Sequence, residues 1–171
     1  IQFSERIFSD HTKVCANDKY VVTGGASGIS VFDTSMKKLG TITKSGISEI
    51  FINGNKLYVK TSAAFEIYDL SKDTIEAENV ISTGIGASFT DGEEIYIYDK
   101  SALTVKAYDC DANEMFVTEN CPEGITKVYQ KDGMLFLVSG KTVKIYDVSE
   151  KTDAAADELF LSQLTTVQNI T

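Results

Sequence analysis

Apolar and polar residues alternate along this chain in short runs, and the runs fall into sets. Lys19–Thr23 reads KYVVT, Lys56–Lys60 KLYVK, Glu94–Tyr98 EIYIY and Met134–Val138 MLFLV. A period of two sends successive side chains to opposite faces of a strand. Each run is followed by another that ends apolar-aromatic-Asp: ISVFD, FEIYD, VKAYD and VKIYD, closing at Asp33, Asp69, Asp109 and Asp147. These aspartates are spaced by 36, 40 and 38 residues. Helical periodicity never outlasts a turn. Ala154–Leu161 has the propensity for a short helix, but its place in the repeat assigns it to a strand.

The remaining runs complete sets of four. First strands are expected at Asp10–Asn17, Gly46–Ile52, Gly84–Phe89 and Ile125–Gln130. Fourth strands are expected at Lys38–Thr43, Glu76–Ile81, Met115–Thr118 and Glu158–Leu161. Asn17-Asp18, Asn53-Gly54, Asp91-Gly92 and Asp132-Gly133 separate first from second strands. Asn-Gly and Asp-Gly between alternating runs signal hairpins, with both central residues at positive φ. Two runs are left over. Ile1–Ser9 reads as the outer strand of an incomplete repeat, and Leu164–Asn169 as the inner strand of another.

A period near forty with four strands per repeat predicts an all-β chain built as a β-propeller segment. Its parts are an outer strand at 1–9, blades at 10–45, 46–83, 84–123 and 124–162, and an inner strand at 163–171, all in one domain. A small sheet with two apolar faces is unstable alone, so each blade needs its neighbours. The lone outer and inner strands leave two central strands to find. Flanking sequence of a longer chain, or another chain, is expected to close the ring.

Strands ending in apolar-Tyr-Asp at this period resemble those of WD-repeat propellers, whose third strand ends in Trp-Asp. The likeness covers the repeat plan of nearly the whole chain. Phe32, Tyr68, Tyr108 and Tyr146 stand where Trp would, and the chain has no Trp and one His. The family's buried His-Ser/Thr-Asp-Trp network therefore has no counterpart. What the resemblance implies is the architecture and a scaffolding role.

Composition narrows the partners. A net charge of −9 opposes nucleic acid, whose binders need a basic surface, and it opposes anionic membranes. No apolar run reaches the roughly 20 residues that span a bilayer as a helix. The 3 cysteines leave at least one thiol unpaired. Cys110 and Cys121 bracket a strand, too far apart for a disulfide, and Cys15 lies in another repeat. Unpaired thiols fit a reducing compartment better than an oxidising one. Asn169-Ile170-Thr171 is the one glycosylation-type triplet.

Candidate chemistry is sparse. Val21–Ser30, VVTGGASGIS, resembles the TGxxxGIG cofactor loop of short-chain dehydrogenases. Here Ser30 replaces the last Gly, a strand and turn follow instead of a helix, and Tyr68…Lys72 comes too soon for that family's Tyr-x-x-x-Lys. A hairpin explains the stretch. Asp109-x-Asp111-x-Asn113 opens like a calcium loop, but Glu114 stands where an EF-hand needs Gly, and Asn120 where it needs Glu. The alternative is that all four repeat aspartates accept N–H bonds in the turn after the third strand. One histidine, His11, is too few for a triad or zinc site; it is expected at a polar rim. Glu93-Glu94 is expected to be a solvated face. No cofactor or metal is expected.

The function expected is a non-enzymatic protein-interaction scaffold presenting loops at one propeller face. Second-to-third-strand loops and the links between repeats should share that face, giving Ser27, Lys44, Ser62, Lys100, Asn120, Glu123 and Lys141 as binding candidates. Two alternatives stand beside it. One is an extracellular or cell-surface module binding a ligand or carbohydrate; the other is part of a catalytic propeller whose active residues lie outside this chain.

Overall fold

The computed structural model describes residues 10–82 and 85–151. The strands expected at Ile1–Ser9, Glu158–Leu161 and Leu164–Asn169, and the triplet at Asn169, lie outside the described residues. Fifteen strands are found among the described residues, in four antiparallel sheets. Two compact units divide at Thr83 and Gly84, at the boundary expected between the second and third repeats.

In the first unit, sheet I runs β1 (His11–Ala16), β2 (Tyr20–Gly25), β3 (Gly28–Asp33), β4 (Lys38–Ile42), each strand beside the next. Sheet II repeats the order with β5 (Ile47–Asn53), β6 (Lys56–Thr61), β7 (Phe65–Asp69) and β8 (Ala77–Ile81). The core lies between them. Val22, Ile29, Val31 and Ile42 meet Ile52, Leu57, Val59 and Tyr68. Burying each such side chain contributes about 1.5–3 kcal/mol. Both faces of sheet II are covered, as the doubly apolar alternation requires: Leu57 and Val59 point one way and Tyr58 the other, all within 1% of full burial.

In the second unit, sheet III comprises β9 (Ile85–Thr90), β10 (Glu94–Asp99), β11 (Thr104–Asp109) and β12 (Glu114–Thr118). Sheet IV comprises β13 (Ile125–Lys131), β14 (Met134–Ser139) and β15 (Thr142–Asp147). Tyr96, Val105, Ala107 and Phe116 pack with Val128, Leu135, Leu137 and Tyr146. Where the edge strands meet, the Phe89 and Tyr129 rings stand edge-to-face with centroids 4.9 Å apart, a favoured aromatic geometry.

Two details recur. First strands skip a residue in register, at Ser48 and at Thr126, and the skipped hydroxyl donates to the second strand: Ser48 Oγ to Lys60 O, Thr126 Oγ1 to Val138 O, both 3.2 Å. Fourth strands skip Leu39, Glu78 and Met115, and bulges of this kind bend and twist an edge.

The first hairpins differ in part from expectation. Both central residues take positive φ only at Asp132 (51°) and Gly133 (76°) among the described residues. In sheets I and III three residues, 17–19 and 91–93, separate the strands instead. There Asn17 Oδ1 accepts from Lys19 N and Tyr20 N, and Asp91 Oδ1 from Glu93 N and Glu94 N. In sheet I the side chain has replaced the left-handed backbone as the turn-former, while in sheet III it acts beside Gly92, whose φ is 92°.

Candidate functional site

The repeat aspartates serve the backbone. Asp33 Oδ1 accepts from Ser35 N (2.9 Å), Ser35 Oγ (2.6 Å) and Lys37 N (2.9 Å). Asp69 and Asp147 take the same amide and hydroxyl bonds from Ser71 and Ser149. Asp109 accepts from Asp111 N, Asn113 N and Asn113 Nδ2, so the residues that open like a calcium loop form a closed turn of the same kind. The serine hydroxyl bond, first among the causes, holds the carboxyls of Asp33, Asp69 and Asp147 below the ordinary carboxylate range. The glycine-rich stretch is likewise a hairpin. β2 and β3 pair from Tyr20↔Asp33 to Gly25↔Gly28, leaving Ala26 and Ser27 as the turn. Gly28 is required there: its φ is 134°, and a Cβ would lie 2.4 Å from Ile42 O.

In the first unit the loop candidates gather at one end of sheets I and II. Ser27, exposed in the β2–β3 turn, donates its N–H to Asp10 Oδ2 at 2.7 Å. Lys44 is in the β4–β5 link, half-buried, and its ammonium reaches Glu66 Oε1 at 2.5 Å. Glu66 is only 5% exposed, and Oε2 accepts from Tyr68 Oη at 2.7 Å. Burial, with that carboxylate bond second, raises the Tyr68 phenol. Ser62 is exposed in the β6–β7 turn, which Thr61 caps, its Oγ1 accepting from Ala63 N and Ala64 N.

The second unit is built alike. Lys100 lies in the β10–β11 turn, which Asp99 Oδ1 caps by accepting from Ser101 N and Ala102 N. Asn120, at φ 55°, and Glu123 lie in the β12–β13 link. Three bonds moor that link to its surroundings: Tyr98 Oη to Pro122 O, Cys121 N to Leu103 O and Ser139 Oγ to Glu123 O, at 3.0, 2.9 and 2.8 Å. Lys141 is exposed in the β14–β15 turn beside Gly140. Each unit thus presents exposed side chains on short, internally bonded loops.

His11 opens β1 at a half-buried position, its Nδ1 2.7 Å from Thr23 Oγ1. One expectation needs correcting. Glu94 is not a solvated carboxylate. Its side chain is 13% exposed, Oε2 accepts from Tyr96 Oη at 2.6 Å, and Oε1 pairs with Lys151. Tyr96 sits two residues along the same strand face, and Lys151 returns after β15; the first contact was legible from the period of two, the second only from the fold.

Sequence reasoning also missed a cleft at the hairpin end of the second unit. It holds about 420 Å³ and is lined by Asp91, Glu93, Glu94, Gln130, Asp132 and Lys151. Its signal was present in two acidic turns at the same place in consecutive repeats. No group of three or more His, Cys, Asp or Glu residues suited to a metal ion is found among the described residues.

No protein-family model and no curated protein sequence matches the chain. Solved structures do. Kluyveromyces lactis Hsv2 superposes with a TM-score of 0.71 at 8% identity, covering 90% of this chain and 51% of Hsv2. The N-terminal domain of Nup159 gives 0.64 at 12% identity, covering 88% and 48%, and matches equally in a structure of S. cerevisiae Dbp5 bound to Nup159. The computationally designed Ika4 protein gives 0.67 at 16% identity, covering 85% of this chain and 96% of Ika4. The fold is that of β-propeller blades. The chain spans about half the length of Hsv2 and of the Nup159 domain.

Proposed function

We propose that the chain is part of a β-propeller scaffold that binds a protein partner through its loops. The observation carrying this reading is the construction of the loop ends. Ser27, Ser62, Lys100, Asn120, Glu123 and Lys141 are exposed, while the backbone beneath them is held by turn and link hydrogen bonds. Side chains on loops fixed by a rigid sheet lose little freedom on binding, which favours recognition. A related fold is known in a complex, since Dbp5 has been solved bound to Nup159. The reading assigns no catalysis: the repeat carboxylates are engaged with turn amides. In this reading, further blades from flanking sequence or from another chain complete the ring.

Lysine-directed cross-linking and mass spectrometry on the purified chain in extract tests it. Wild type is expected to yield partner cross-links at Lys44, Lys100 and Lys141. The triple variant Ser62→Glu, Lys100→Glu, Lys141→Glu is expected to lose that partner while melting within about 2 °C of wild type. Retention of the same partner by the triple variant overturns the proposal.

A further inference from the structure

We draw no further inference here: the strongest candidate, the apolar face of sheet IV that carries Phe136 and the exposed Val143, carries nothing because nothing among the described residues shows what covers it.

Discussion

The Lys44 ammonium donates to Glu66 Oε1 at 2.5 Å, tying the link that leaves sheet I to the third strand of sheet II. The pair is lopsided: the Lys44 side chain is 34% exposed and that of Glu66 6%. Removing the lysine therefore leaves a buried carboxylate with no counter-charge and only Tyr68 as donor, whereas removing the glutamate leaves an ammonium that water can reach. Losing the partner of a buried charge costs more than losing the partner of an exposed one. Lys44→Met is expected to lower stability by about 3 kcal/mol, and Glu66→Gln, which still accepts from Tyr68, by less. Urea unfolding of the two variants checks the order; equal losses would contradict it.

The aspartate turns predict acid sensitivity. Hydrogen bonds, the serine hydroxyl's first, depress Asp33, Asp69 and Asp147 below their usual 3.8. A depressed carboxyl contributes stability that is present above 3.8 and is lost as pH falls through the lower, folded value. Replacing all three by Asn is expected to flatten the dependence of stability on pH below about 4. Urea midpoints measured from neutral pH downward test this. The Asn variant should fall less steeply than wild type, and parallel curves would show that the turns do not carry the effect.

The period of the apolar-aromatic-Asp runs was enough to place the strands found among the described residues, because a repeat near forty of alternating residues has few ways to bury both faces of its sheets. Strand ends were less legible. The apolar run Lys19–Thr23 stops short of Gly24 and Gly25, yet both pair in β2, since cross-strand bonding outweighed their weak strand propensity. The aspartate turns were visible because an aspartate closes each third strand. The Lys44–Glu66 and Glu94–Lys151 pairs were not, being 22 and 57 residues apart in the chain. Only stacked sheets bring such groups together, and alternation fixes a residue's face without fixing what faces it.

Gly86 offers a packing test. It occupies the register position that Ser48 and Thr126 hold in sheets II and IV, but a Cβ there would meet Tyr98 Cδ1 at 2.8 Å and Tyr98 O at 2.9 Å. A backbone oxygen cannot swing aside as a side-chain end can. Gly86→Ala is expected to cost about 1–3 kcal/mol through displacement of β10. Gly54→Ala has open space around it and only its φ of 55° to oppose it, so about 1 kcal/mol is expected. Thermal melts of both variants decide whether crowding exceeds backbone strain.

Burial raises the Cys15 and Cys121 thiols from 9.0 to about 11. Cys15 packs beside the core of the first unit, and Cys121 Sγ donates to Thr118 O at 3.3 Å in the second. A thiol raised on folding keeps its contribution below the unfolded value and loses it as pH climbs through the folded one. Stability should thus begin to fall above pH 9 and continue falling toward 11. Burial lifts Tyr68 and Tyr96 in the same direction, with the Glu66 and Glu94 bonds second. The double variant Cys15→Ala, Cys121→Ala separates the contributions. It should soften the loss between pH 9 and 11 and leave the tyrosine part at higher pH. In the folded wild type at pH 8, alkylation at these two thiols should run at least about tenfold slower than in urea, because the thiolate is the reacting form. Equal rates would show that the two sulfurs are not held in the apolar surroundings described.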